Sequence, residues 1–110
     1  MSGKKKIYLF CSAGMSTSML ASNMQEVADA HSLPVEVRAF PIGKLDDIVA
    51  AEDPDCILLG PQVSFKFEET KERLAPTGKP VGLIDQQSYG VMDGEAVLRY
   101  AVKLIKSAKK

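Results

Sequence analysis

The sequence predicts one α/β domain covering residues 1–110, a four-stranded parallel sheet with helices on both faces. Three observations lead there. Short β-rich runs alternate with longer stretches of helical period along the whole chain, which is the pattern of a sheet covered by helices. The run CILL at 56–59 is apolar throughout rather than alternating, as expected of a strand buried on both faces. With 110 residues, 45% of them hydrophobic, the chain can build one core but not two.

The first strand is KIYLF at 6–10, ending at Cys11. A helix is expected from about Thr17 to Ala30, because Met19, Leu20, Met24, Val27 and Ala28 recur at steps of three and four, with Ser16 or Thr17 as its N-cap. Val35, Val37 and Ala39 alternate in VEVRAF, a second strand bounded by Pro41 and Gly43, and a short helix follows around 45–51. Gly60 and Pro61 stop the third strand, SFKFEETKERLA reads as a charged amphipathic helix, and KPVGLID holds a fourth strand near 80–84. The last helix spans about Gly94 to Ala108, with Ala96, Val97, Tyr100, Ala101, Leu104 and Ile105 on one face. No repeat, low-complexity segment or linker interrupts the order.

Charge and composition narrow the function. Fourteen basic and fourteen acidic residues cancel, so the electrostatic footprint of a nucleic-acid binder is missing. The lysines at 4–6, 106, 109 and 110 read as solvated termini. No apolar run is long enough to cross a bilayer or to serve as a secretory signal, and a cytoplasmic protein with reduced thiols is expected. One histidine and two cysteines provide no metal-ligand set, and without GxGxxG or a Walker lysine no nucleotide cofactor is expected.

The informative stretch is FCSAGMSTSML at 10–20. Ligands of open α/β sheets bind at the carboxyl ends of the strands, where Cys11 would sit. Ser12, Ala13, Gly14, Met15, Ser16, Thr17 and Ser18 form a small, hydroxyl-rich segment leading into a helix N-terminus, whose unpaired N–H groups and dipole favour a phosphate. The same environment lowers a thiol's pKa from about 8.5 toward neutrality and makes Cys11 a candidate nucleophile, although cysteine is also a common core residue. Cys56, inside the apolar run, reads as packing. His31, near the end of the first helix, reads as a surface or capping residue.

A phosphocysteine fits two reaction classes. A tyrosine-phosphatase-like enzyme has an arginine six residues after its cysteine to clamp the phosphate, and an aspartate as general acid. Here the sixth residue is Thr17, and the arginines Arg38, Arg73 and Arg99 all lie elsewhere, while Asp85 or Asp93 remains available as an acid. The other class is a phosphoryl carrier, and a thiol-based interaction module without catalysis is a third alternative.

KIYLFCSAGMSTSML, LLGPQV and DQQSYGVMDGEAVL together closely resemble the IIB component of the lactose/cellobiose/chitobiose family of bacterial sugar phosphotransferase systems, over nearly the entire chain. The resemblance implies a cytoplasmic domain with a fold like that of low-molecular-weight tyrosine phosphatase. It implies that Cys11 takes a phosphoryl group from a phosphohistidine of a IIA protein and passes it to a β-linked disaccharide or similar sugar transported by the membrane permease IIC. Met15, Met19, Gln62 and Tyr89 are expected around Cys11 as partner contacts, with Pro61 beside them.

Overall fold

The computed structural model describes residues 4–12 and 14–108, with the backbone alone at 14–16. Ala13 and the side chains of Met15 and Ser16 therefore lie outside the described residues. Four strands, β1 (Lys5–Cys11), β2 (Val35–Pro41), β3 (Cys56–Leu59) and β4 (Val81–Leu83), pair in the order β2-β1-β3-β4, every neighbouring pair parallel. Among the described residues, five α-helices connect and cover them: α1 (Gly14–Ala30), α2 (Leu45–Glu52), α3 (Phe67–Leu74), α4 (Gln86–Gly90) and α5 (Gly94–Ala108).

The period of two along β1 divides the core into two layers. Ile7 and Leu9 pack with Leu20, Met24, Val97, Leu98 and Ala101 from α1 and α5. Tyr8 and Phe10, one step out of phase, pack with Leu45, Val63 and Leu74 on the opposite face. Each such side chain contributes about 1.5–3 kcal/mol when removed from water, so a one-residue slip of β1 would invert both layers. Cys11 is in phase with Ile7 and Leu9 and so faces the α1 and α5 side.

The strand order places β1 at the point where the chain reverses direction across the sheet. From β1 the chain goes outward to β2, then returns past β1 to β3, which leaves a crevice beyond the carboxyl ends of β1 and β3. Cys11 is the last residue of β1, and the turn after β3 begins at Gly60.

Four expectations about elements need correction. α1 begins at Gly14, not Thr17, so Ser16 and Thr17 lie inside the helix and neither is its N-cap. The small residues at its start carry no apolar period, and a reading that counts from Met19 misses them. A 3-10 turn, Pro61–Lys66, precedes α3, which starts at Phe67 rather than at Ser64. The five-residue α4 is too short to show a period and was not expected from the sequence. On α5 the buried face is Val97, Leu98, Ala101 and Ile105, whereas Tyr100 is 37% exposed. Tyr100 instead lies over the edge strand, its hydroxyl accepting the Leu83 N–H at 3.2 Å. A Cβ on Gly82 would stand 2.7 Å from that hydroxyl and 2.5 Å from Leu104 Cδ1, so only glycine lets Tyr100 reach the strand.

Candidate functional site

Cys11 is 2% exposed, with its sulfur turned into the crevice between the β3 turn and α4. Its Sγ donates to Gln62 Oε1 at 3.0 Å and lies 3.9 Å from the Tyr89 hydroxyl. Gly60 leaves room beside the first contact. Its backbone, at φ −71 and ψ 159, is one that any residue can adopt, so the requirement is for space. A Cβ there would lie 3.1 Å from both Cys11 Sγ and Gln62 Oε1.

Because α1 starts at Gly14, the expected phosphate loop resolves into two parts. Ser12 follows the strand, while Gly14, Met15, Ser16, Thr17 and Ser18 form the first turn and the start of the second. The N–H groups of a first helical turn have no partner within the helix, and in α1 that turn begins three residues after Cys11. The hydroxyls are distributed differently from the expectation. Ser12 and Ser18 are exposed, whereas Thr17 is fully buried, its Oγ1 3.0 Å from the Tyr89 hydroxyl.

Two carboxylates that the sequence offered as possible acids are occupied in helix capping. Asp85 is the N-cap of α4 and accepts the Ser88 N–H at 2.8 Å, a bond that holds its carboxyl below the usual range. Asp93 precedes α5 and accepts the Ala96 N–H at 3.0 Å. Asp85 thus seats the short helix that carries Tyr89. Cys56 is fully buried among the α1 and α5 layer, and burial first, then the nearby Asp55 charge, pushes its thiol up to about 12. His31 is exposed in the turn after α1, a helix length of about 25 Å from the Cys11 end.

Residues 6–100 match the family described as "PTS system, Lactose/Cellobiose specific IIB subunit". The chain belongs to the lactose/cellobiose-specific IIB family of the sugar phosphotransferase system. The galactose-specific EIIB component of Lactococcus lactis subsp. cremoris (strain MG1363) is 39% identical over 104 residues, covering 92% of this chain and 96% of that protein. The solution structure of the cellobiose-specific phosphotransferase IIB component from Borrelia burgdorferi superimposes with a TM-score of 0.79 at 32% identity, over 98% of this chain and 97% of the other. A lactose-specific EIICB component of Staphylococcus epidermidis (strain ATCC 35984 / DSM 28319 / BCRC 17069 / CCUG 31568 / BM 3577 / RP62A) matches 91% of this chain at 28% identity, over 17% of its own length. This IIB chain is therefore a component of lactose/cellobiose-class sugar transport, in a family of phosphotransferases. No helix of the described residues is long and apolar enough to cross a membrane.

Among the described residues, the three guanidiniums are engaged elsewhere. Arg73 pairs with Asp46 and Glu69, Arg99 with Glu95, and Arg38 lies over the Phe40 ring beside Glu36. Position 17, where a phosphatase loop holds its arginine, is sealed beneath Tyr89. Of the expected partner contacts, Met19 is 61% exposed and Gln62 is exposed, but Tyr89 is buried and belongs to the wall of the site. Phe65, 77% exposed on the turn after β3, and Val91, 69% exposed after α4, were not singled out from the sequence. Both stand on connections at the carboxyl edge of the sheet, and only their exposure distinguishes them from ordinary core residues.

Proposed function

We propose that Cys11 is a phosphoryl carrier, charged by a phosphohistidine on a IIA protein and discharged onto a β-linked disaccharide or related sugar handled by the IIC permease. The observation that carries this reading is the position of the Cys11 sulfur, at the end of β1 in the β1/β3 crevice and three residues before the first residue of α1. In the first step the thiolate attacks phosphorus. The S–P bond forms as the P–N bond of phosphohistidine breaks, and the released electron pair stays on the imidazole. In the second, a sugar hydroxyl attacks, its proton passes to a base or water, and sulfur leaves as thiolate. Backbone N–H groups of the first turn of α1 meet the charge on the phosphoryl oxygens in both steps.

Hydrolysis is the competing chemistry, and the engagement of the three guanidiniums elsewhere favours a carrier over a phosphatase. Met19, Phe65 and Val91 are exposed apolar side chains, on α1, on the turn after β3 and after α4, of a kind suited to docking proteins in turn. That a homologous segment is part of an EIICB chain supports IIC as one of them. Sugar choice rests with IIC, in keeping with relatives named for different sugars. Intact-protein mass spectrometry after incubation with phosphoenolpyruvate and a reconstituted relay tests the reading. A lasting phosphoryl group on Cys11, absent in Cys11→Ser and retained in Cys56→Ser, is expected. Phosphorylation elsewhere, or none at all, would overturn it.

A further inference from the structure

We propose that Gln62 reverses its side-chain amide with the charge on Cys11, so that Oε1 accepts from the thiol while Nε2 donates to the thiolate or to a phosphoryl oxygen. The second half rests on the reading of Cys11 as a phosphoryl carrier; the first does not.

The thiol-state geometry sets up the reversal. In that state Sγ–H donates to Oε1 at 3.0 Å. When the proton leaves for water, the same oxygen faces a sulfur anion with no hydrogen between them, and two acceptors at that distance repel. A half-turn about the last side-chain torsion, which is broad and nearly two-fold for an amide, puts the NH₂ group where the oxygen was. Gln62 is exposed, so the displaced oxygen turns toward water and loses no partner. Glycine at position 60 keeps the required space clear, since a Cβ would crowd the sulfur and the amide equally at 3.1 Å.

The Tyr89 phenol from α4 lies 3.9 Å from the sulfur, with Thr17 from α1 behind it. The Asp85 and Asp93 carboxylates are turned onto helix N–H groups, and Pro41 is the residue beside Cys11 on β2. An amide is suited to this place because it is uncharged and works in both polarities. A lysine would hold the thiolate permanently, and a glutamate would oppose it.

The test uses the full chain without any phosphoryl donor. In ¹H–¹⁵N spectra recorded against pH, the Gln62 side-chain NH₂ signals should move downfield with the midpoint at which Cys11 becomes reactive to iodoacetamide, located by peptide mass spectrometry. In Cys11→Ser they should stay constant. Gln62→Met should raise the Cys11 midpoint by about half a pH unit and Gln62→Glu by about one, since neither can donate to the thiolate. Gln62 signals that ignore the Cys11 titration would overturn the proposal, as would a Gln62→Met midpoint equal to the parent's. Once the relay is added, the NH₂ signals of the phosphorylated protein should match the thiolate form; thiol-like signals would overturn the second half. Amide reversal in a protein that never gains phosphate on Cys11 would instead remove the carrier reading and leave the thiolate half standing.

Discussion

Thr17 Oγ1 and the Tyr89 hydroxyl lie 3.0 Å apart, joining the first turn of α1 to the short helix α4 across 72 residues of sequence. Both groups are buried, so each provides the other with its way of avoiding an unpaired polar atom. Tyr89→Phe should cost about 1–2 kcal/mol and lower the melting temperature by about 5 °C. Thr17→Val should cost a similar amount, and the double variant less than the sum by about 1 kcal/mol. Additive losses in a denaturant-based double-mutant cycle would mean that the two hydroxyls are not energetically joined.

Cys56 and Cys11 should separate under alkylation. Its thiol raised to about 12, Cys56 stays protonated in the folded chain at pH 8–9, and only unfolding should expose it to iodoacetamide. The same shift shapes alkaline stability. The unfolded thiol ionises from about 9 upward while the folded one does not, so the contribution is complete below pH 9 and declines as pH rises toward about 12. The loss is on the order of 1 kcal/mol per pH unit within that window. Urea unfolding from pH 7 to 10 should show Cys56→Ala approaching the parent's stability as pH increases; a constant gap would contradict the assignment.

Asp85 secures α4 through a charged cap. Asp85→Ala should cost about 1 kcal/mol at neutral pH. The Ser88 N–H depresses the carboxyl's folded pKa. The cap's full contribution is therefore present above the unfolded carboxylate value of about 3.9 and is lost as pH falls through the lower folded value. Thermal melts of parent and variant should converge in acid and differ above pH 4.

Phe65 should matter for docking and not for folding. Phe65→Ser removes an apolar ring already 77% exposed, so stability should change by no more than about 0.5 kcal/mol. Phosphoryl transfer from IIA should slow by about tenfold if the ring is a central contact. Stopped-flow or quenched-flow rates with purified IIA provide the measurement, and an unaltered rate at subsaturating partner would remove Phe65 from the docking contacts.

Strands and long helices were legible because their signals are local and repeated. β1 and β3 are runs of large apolar residues, and α5 presents a buried face every three or four positions. The site was legible only in part. Cys11 was marked by its position after the first strand, but the start of α1 was hidden in residues too small to show a period. The Asp85 and Asp93 roles were open to a local reading, since each aspartate lies three residues before the N–H it accepts. Thr17 with Tyr89, and Cys11 with Gln62, are separated by 72 and 51 residues, and nothing local in the sequence pairs them.

Cys11 closes the central strand of the sheet, paired with β2 on one side, while the adjoining Phe10 carbonyl accepts the Gly60 N–H on the other. Amide protons of β1 should thus be among the slowest in the chain to exchange with deuterium, since releasing them requires opening the sheet at its middle. The side chains that greet the sulfur hang from a 3-10 turn and a five-residue helix, elements that can shift without breaking that sheet. Cys11, anchored in the central strand and bordered by these short connections, would as a carrier keep one fixed target while the walls refit themselves to successive visitors.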